Sequence, residues 1–189
     1  MIIPLAIEFD LKEAQDYYHS VEKNFHNLKW IPNDDAIDSE LHKIKGIYGW
    51  GIQSNLDDLT LPCPPYHVHK NGNSIYKNTI LVYGFVKKLL EFFPECRQLG
   101  LAVHPPGVEI KQHVDNDEYF KIHIPLYTND QSYFIFGNEH NNMIPGKMYL
   151  VETKYMHGTI NNGNENRVHL LFKLPRYLLD SVISTIGKI

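Results

Sequence analysis

Residues 99–115 read LGLAVHPPGVEIKQHVD, and they show how the second half of the chain is organised. Two runs of mostly apolar residues flank Pro105-Pro106-Gly107, a cluster that is typical of a turn between two strands. The same succession of short runs and turn signals continues to residue 173. About eight short strands at close, regular spacing predict a β-sandwich or barrel. The predicted strands are Leu99–His104, Val108–Asp115, Phe120–Tyr127, Ser132–Gly137, Asn142–Ile144, Lys147–Glu152, Met156–Asn161 and Arg167–Lys173.

The first half of the chain predicts two helices. Asp10, followed three residues later by Glu13, forms the capping-box pattern that begins a helix. Asn78 is predicted to cap a second helix, which Pro94 would end. The apolar faces at helical spacing are Ala14, Tyr17, Val21 and Phe25 in the first helix, and Leu81, Phe85, Leu89 and Phe92 in the second.

Two further regions complete the predicted organisation. Residues Trp30–Asn73 are rich in Pro, Gly, Asp and Asn, which predicts loops with a short strand around Tyr48–Trp50. After Pro175, apolar residues at helical spacing predict a closing helix, namely Tyr177, Leu178, Val182 and Ile186. We expect a single domain, with a helical and loop region at 1–97, a β-rich core at 98–175 and a C-terminal helix at 176–189.

Composition and charge narrow the classes of function. Apolar residues make up 43% and charged residues 21% of the 189 residues, which is typical of a folded globular protein. The formal net charge of −4, without a block of like charge, argues against nucleic acid or an anionic membrane as a partner. The longest apolar run, Ile80–Val86, is too short to span a bilayer, and the N-terminus lacks the basic segment of a signal peptide. Cys63 and Cys96 have no disulfide-framework spacing, so we expect a reducing, cytoplasmic location.

Three residues of the β-rich region are candidate metal ligands. His113 and Asp115 lie two positions apart on a predicted strand, where both side chains point to the same face. His157 lies on a later predicted strand. Two imidazoles and one carboxylate, without a thiolate, suit Fe(II) and leave coordination positions open for a cosubstrate and oxygen.

The chain has 11 histidines, so chance spacings are common and alternatives stay open. The pair His113 and Asp115 can instead belong to a solvent-exposed strand. His67-Val-His69 is another possible metal pair, although its Pro and Gly neighbours predict an exposed loop.

Strict alternation along the strand that carries His113 raises a difficulty. It places Glu109 and Lys111 on the same face as His113. A metal-binding face therefore requires a bulge or a strand end near Gln112.

Three basic residues are candidates for binding an anionic cosubstrate. Arg167 lies on an otherwise apolar strand, and a buried guanidinium needs an anionic partner such as a carboxylate. Lys121 and His123 alternate with apolar residues, so one face of their strand is polar. The alternatives are an exposed Arg167 paired with Glu165 and a polar face that points to solvent.

Together these segments resemble the aspartyl/asparaginyl β-hydroxylase family of 2-oxoglutarate oxygenases, which includes bacterial proline hydroxylases. The resemblance extends from Leu101 to Lys173, with the segments in the family's order and near its spacing. The matching segments are His104-Pro-Pro-Gly107, His113-Val-Asp115, His123-Ile-Pro-Leu126, Gly146, His157-Gly-Thr-Ile-Asn161 and Arg167-Val-His-Leu170.

The resemblance implies a mainly β fold with flanking helices, the double-stranded β-helix (a cupin-like jelly roll). It implies that His113, Asp115 and His157 are the catalytic metal ligands and bind Fe(II). It also implies that Arg167 binds the distal carboxylate of 2-oxoglutarate, and that the strand carrying His123 lines the same pocket.

Two positions depart from the family's pattern. The family usually has Arg-x-His where this chain has Lys121-Ile-His123, so a contact between Lys121 and the cosubstrate is an open question. Some members carry a serine near position 102 that helps to bind the distal carboxylate, and this chain has Ala102.

The activity implied is that of an oxidoreductase, a 2-oxoglutarate-dependent non-haem iron dioxygenase that hydroxylates an unactivated C–H bond. O2 would be consumed, with succinate and CO2 as co-products. We expect a small, amino acid-like substrate, with a protein side chain as the competing possibility. Candidate substrate contacts are Tyr48, Trp50, Tyr66 and residues Pro64–Asn73. Two rival functions are a cupin-like metalloenzyme with Zn, Mn or Ni and no 2-oxoglutarate, and a binding module without activity.

Overall fold

The chain folds into two facing β-sheets with helices packed outside the larger sheet, which is the arrangement of a jelly roll. This architecture is seen in a computed structural model that describes residues 1–25, 28–29, 46–54, 59–60, 76–115 and 118–189. The jelly roll predicted from the sequence is therefore confirmed.

The described residues form short strands and three α-helices. The helices are α1 (Leu11–Asn24), α2 (Gly84–Phe92) and α3 (Leu179–Ser184), with a 3-10 helix at Arg176–Leu178 before α3. The strands are β1 (Ile2–Pro4), β2 (Ala6–Glu8), β3 (Leu28–Lys29), β4 (Tyr48–Gly51), β5 (Gln53–Ser54), β6 (Lys77–Asn78), β7 (Arg97–His104), β8 (Glu109–His113), β9 (Tyr119–Tyr127), β10 (Ser132–Phe136), β11 (Glu139–Asn141), β12 (Tyr149–Val151), β13 (His157–Asn161), β14 (Arg167–Pro175) and β15 (Ile186–Lys188). In the part of the chain described here, no helix has both the length and the apolar character needed to cross a membrane.

The larger sheet has the strand order β1-β12-β9-β14-β7-β4-β3, and the smaller sheet has the order β11-β10-β13-β8. β14 lies at the centre of the larger sheet and pairs antiparallel with β9 and β7. Successive side chains of a strand point to opposite faces, so each long strand has one outer face and one face between the sheets.

The outer face of the larger sheet forms the main apolar core together with α1 and α2. Its buried residues are Phe120, Ile122, Ile124 and Leu126 on β9, and Val168, Leu170, Phe172 and Leu174 on β14. Each large apolar side chain buried in this way contributes about 1.5–3 kcal/mol to stability. The alternate residues of β9 and β14 therefore face the space between the sheets.

Most of the predicted elements are confirmed. α1 begins after Asp10, whose carboxylate accepts a hydrogen bond from the Glu13 amide at 3.1 Å. The predicted strands between residues 99 and 173 are present, except that Asn142–Ile144 is replaced by β11 at Glu139–Asn141. The short strand at Tyr48–Trp50 is β4. Since β4 and β1 both belong to the larger sheet, residues 1–97 supply strands as well as helices and loops.

Two helix predictions are wrong in part. Asn78 lies in β6 and does not cap α2, which begins at Gly84. The closing helix is shorter than predicted, because α3 ends at Ser184 and Ile186 begins β15. β15 pairs in parallel with β2 near the N-terminus, and this long-range pairing overrides the local helical pattern.

A β-bulge in β8 sets the direction of His113. His113 is opposite His157 on β13, but the next paired residues are two positions apart on β13 and three apart on β8. Gly158 lies against the bulge, and a Cβ at this position would be 2.6 Å from the carbonyl oxygen of Ile110. The bulge or strand end that alternation required near Gln112 is therefore present.

We predict that Gly158→Ala destabilises the protein by about 1–3 kcal/mol, the usual cost of forcing a methyl group into a packed site. Urea unfolding measures the loss, and amide hydrogen exchange should increase at residues 110–113, where the strand must move. Gly84→Ala is the control, because Gly84 has a φ of 53° and open space around its Cβ position. It should lose stability through backbone strain without changing exchange at residues 110–113. Unchanged stability of Gly158→Ala would contradict the close contact.

Candidate metal centre

Two imidazoles and a carboxylate meet at the end of β8. His113 is the last residue of β8, Asp115 follows it by two residues, and His157 begins β13. One possible ligand atom from each residue lies within 4.8 Å of the others. His113 Nε2 is 3.5 Å from Asp115 Oδ1, and His157 Nε2 is 3.9 Å from Asp115 Oδ2. The Asp115 amide donates a hydrogen bond to the Thr153 carbonyl at 2.9 Å, which fixes the backbone beyond the strand.

Backbone carbonyl groups orient both imidazoles. His113 Nδ1 lies 2.9 Å from the Lys111 carbonyl oxygen, and His157 Nδ1 lies 2.8 Å from the Tyr155 carbonyl oxygen. A carbonyl oxygen can only accept a hydrogen bond, so both Nδ1 atoms carry the proton and donate it. Each Nε2 atom then presents its lone pair on the side of Asp115. Metal-binding histidines are commonly held in this way.

His157 and Asp115 have the protonation states that metal ligands require. Burial, together with the positive charge of Lys121, lowers the pKa of His157 to about 4, so its ring is neutral near pH 7. Burial opposes ionisation of Asp115, but Lys121 outweighs this effect and holds the pKa of the carboxyl well below its usual value. Two imidazoles and an ionised carboxylate could hold a divalent metal, in the ligand set that is typical of non-haem Fe(II) oxygenases.

Lys121 forms an ion pair with Asp115 inside the jelly roll. Its Nζ is 2.5 Å from Asp115 Oδ2, and the two side chains are 14% and 21% exposed. His123, two residues further along β9, is buried as well. The alternative in which this face of β9 points to solvent is therefore wrong.

Arg167 is buried in a group of three histidines. The arginine is 4% exposed, so the alternative of an exposed strand-end residue is wrong. One terminal guanidinium nitrogen lies 3.3 Å from His104 Nδ1, and the other lies 3.2 Å from His169 Nδ1. His169 Nδ1 is also 3.3 Å from His123 Nδ1. Across the sheet, His169 is the partner of Ala102.

The hydrogen bonds fix the proton positions in this group. A guanidinium has no acceptor, so it donates to the Nδ1 atoms of His104 and His169, whose protons then lie on Nε2. His123 in turn donates from Nδ1 to His169. The Nε2 atoms of all three histidines are buried and have no hydrogen-bond partner among the residues described. Because such atoms are costly to bury, a polar ligand bound beside Arg167 would satisfy them.

The structure describes two of the predicted substrate contacts, Trp50 and Tyr48. Trp50 is fully buried in the apolar core, so it is a core residue and not a substrate contact. Tyr48 packs against the same core, and its hydroxyl accepts a hydrogen bond from Asn166 at 3.3 Å. The predictions for Cys63, Tyr66, the loop at 64–73 and the pair His67-Val-His69 lie outside the described residues.

Three polar residues of the interior have no role predicted from the sequence, although the first two lie within the matching segments: His104, His169 and Lys173. His169 and Lys173 are two and six positions after Arg167, so alternation along β14 could have placed them on the same face. His104 is the cross-strand partner of Arg167 on β7, and only the register shows this.

Comparisons with known proteins agree with this architecture. The family model described as aspartyl/asparaginyl beta-hydroxylase matches residues 69–176, more than half of the chain. A search of curated proteins found no significant match. HygX from Streptomyces hygroscopicus, solved with nickel and 2-oxoglutarate bound, is similar with a TM-score of 0.55 and 11% identity over 94% of this chain and 83% of that chain. A Pseudomonas putida prolyl-4-hydroxylase is similar with a TM-score of 0.51 and 8% identity over 93% of this chain and 92% of that one. At these identities the similarity shows the fold alone.

We predict that the protein loses stability as the pH falls below about 6.5, the ordinary pKa of histidine. Burial, followed by the charge of Arg167, holds the pKa of His104, His123 and His169 well below that value. Below pH 6.5 the unfolded chain therefore binds more protons than the folded one, and stability falls. Each buried histidine contributes a loss of up to about 1.4 kcal/mol per pH unit.

Urea unfolding between pH 5 and pH 8 measures this dependence. His169→Asn should reduce the slope of stability against pH below 6.5, since one buried imidazole is removed. His140→Asn is the control, because His140 is exposed. Equal slopes in the wild type and in His169→Asn would show that His169 does not contribute.

Proposed function

The chain belongs to the aspartyl/asparaginyl β-hydroxylase family, and on that premise we propose that it is an Fe(II)- and 2-oxoglutarate-dependent dioxygenase. The reaction proposed is hydroxylation of an unactivated C–H bond, with O2 consumed and succinate and CO2 released. The proposed substrate is a free amino acid or a similar small metabolite.

The orientation of His113 and His157 carries this proposal. Each ring donates from Nδ1 to a carbonyl two residues earlier in the chain, which leaves Nε2 directed at Asp115. A solvent-exposed strand with a histidine and a solvated aspartate would not require matched ring orientations from two different strands. In the proposal, His113, Asp115 and His157 hold Fe(II), which when bound supplies the activation of O2 that no side chain can provide.

Arg167 is the proposed anchor for the distal carboxylate of 2-oxoglutarate. His104 and His169 accept hydrogen bonds from its guanidinium and thereby fix its plane. Their Nε2–H groups can donate to an anionic oxygen, which would satisfy atoms that are otherwise buried without a partner. Since His169 lies across the sheet from Ala102, it supplies a donor where some family members have a serine.

Lys121 forms an ion pair with the proposed metal ligand Asp115, and an apolar cluster around Phe134 borders the same centre. Lys121 keeps Asp115 ionised and fixes its carboxylate through the ion pair, so we assign it to the metal ligand and not to the cosubstrate. Phe134 lies parallel to the His157 ring, with 5.6 Å between centroids, and belongs to an apolar cluster with Met143, Tyr149 and Val151. This cluster excludes water from one side of the centre, which strengthens the electrostatic interactions there.

We predict that His113→Ala and Asp115→Ala abolish turnover and Fe(II) binding while the fold persists, because both residues lie at or beyond a strand end. Asp115→Ala should also lose some stability, since Lys121 is left without its ion-pair partner. Anaerobic addition of Fe(II) and then 2-oxoglutarate should give the wild type a weak visible charge-transfer band that needs both additions. The variants should give none, and the control His140→Ala should behave as the wild type.

The same titration separates the rival functions. Stoichiometric Zn or Mn in the wild type without a charge-transfer band would favour a cupin-like metalloenzyme. Failure to bind any metal would favour a binding module. Full turnover by purified Asp115→Ala would falsify the proposed ligand set.

We predict that Arg167→Met keeps Fe(II) binding but weakens 2-oxoglutarate binding at least about thirtyfold, which corresponds to about 2 kcal/mol for one lost charge-assisted contact. Anaerobic calorimetry with the Fe(II)-loaded protein measures this affinity. Arg97→Met, which removes an exposed arginine, is the matched control. Unchanged 2-oxoglutarate affinity in Arg167→Met would place the cosubstrate elsewhere.

A further inference from the structure

Lys173 is a mostly buried lysine that the proposed chemistry does not use. It lies on β14, where its cross-strand partner on β9 is Lys121. Among the described residues its ammonium group has no hydrogen-bond acceptor and no carboxylate within ion-pair distance. Burial and the nearby charge of Lys121 lower its pKa to about 8. Like charges directly opposite each other destabilise a sheet, so this arrangement calls for an anion.

The charges at this end of the site would leave an excess of positive charge once a metal and the cosubstrate are bound. Asp115 is the carboxylate whose charge acts on both Lys121 and Lys173 in the described structure. In the proposed complex Arg167 neutralises the distal carboxylate of the cosubstrate, so the divalent metal would face only the other carboxylate and Asp115. Lys121 and Lys173 add two ammonium groups, which leaves a net positive charge that suits a bound carboxylate.

In the proposed function one carboxylate of the cosubstrate is bound by Arg167 and the other lies at the metal, so neither is the partner that we assign to Lys173. Arg167 and Lys173 point to the same face of β14 but are six residues apart, which corresponds to about 20 Å between their Cα atoms. The carboxylate bound by Arg167 is therefore too distant to be the partner of Lys173 as well. Asp115 contacts Lys121, the cross-strand partner of Lys173, so the proposed metal centre lies beside the two lysines.

We propose that Lys173, with Lys121 beside it, binds the carboxylate of the substrate, so that the substrate is a small carboxylic acid such as a free amino acid. This inference rests on the proposed function, since it takes Arg167 as the anchor for 2-oxoglutarate. Lys173 binds the carboxylate at one end of the substrate, and the rest of the substrate lies beside the metal centre.

The test uses the anaerobic Fe(II) and 2-oxoglutarate complex of the full chain. The probes are the free L-amino acids, each paired with its carboxamide, which has nearly the same shape but lacks the negative charge. Thermal unfolding ranks the probes, and calorimetry gives the affinity of those that stabilise the protein. At least one acid should bind, and its carboxamide should bind much more weakly.

Lys173→Met is the decisive variant. It should weaken binding of that acid by about tenfold to a hundredfold, as expected for loss of one charge-assisted hydrogen bond, and leave the 2-oxoglutarate affinity unchanged. Without ligands the variant should be at least as stable as the wild type, because it removes an unpaired ammonium group and a like-charge pair. Lys87→Met is the control, since Lys87 is an exposed lysine on α2.

The outcomes separate this inference from the proposed function. If the Fe(II)-loaded wild type does not bind 2-oxoglutarate, the proposed function and the inference about Lys173 both fail. If it binds 2-oxoglutarate but no amino acid, or binds acids and carboxamides equally, only the inference is overturned. Loss of 2-oxoglutarate affinity in Lys173→Met would assign the lysines to the cosubstrate, and loss of stability in the unliganded variant would assign Lys173 a structural role.

Discussion

The ion pair between Asp115 and Lys121 joins the two sheets at the point where the proposed metal ligands meet. An ionised carboxylate is tolerated in a protein interior only when it has a partner, and Lys121 provides that partner before any metal binds. The position of Asp115 depends in turn on the bulge in β8, where Gly158 allows the neighbouring strand to approach closely. The ligand set is thus held by packing and charge together.

The polar interior is possible because the opposite faces of the same strands are apolar. β9 and β14 bury one face against α1 and α2 and place lysine, histidine and arginine on the other. The outer core supplies the hydrophobic stabilisation that the inner face lacks. Three neutral imidazoles around a guanidinium bury Nε2 atoms that have no partner among the described residues, a local conflict of the kind that proteins retain at functional sites.

The two departures from the family pattern have a physical interpretation in this fold. A lysine at 121 is a compact point charge, and it contacts the carboxylate of Asp115 where a planar arginine would present a broad fork. At position 102 the hydroxyl is absent, but His169 lies across the sheet and contacts Arg167. The polar groups around the proposed cosubstrate site are therefore rearranged in this chain and not simply lost.

The sequence by itself predicted a β-sandwich or barrel and most of its strands, because alternation and turn signals are local properties. Its resemblance to a known family implied the jelly roll and supported His113, Asp115 and His157 as one group. It also predicted a bulge or a strand end near Gln112, since strict alternation would place Glu109 and Lys111 on the same face as His113. Only the tertiary structure decided which face of β9 and β14 is interior, that Lys121 pairs with Asp115, and that Lys173 lies beside it. It also decided that the chain end forms β15 and that Asn78 belongs to β6. These features depend on strand register and on contacts between distant segments, and periodicity within one segment does not specify its partner.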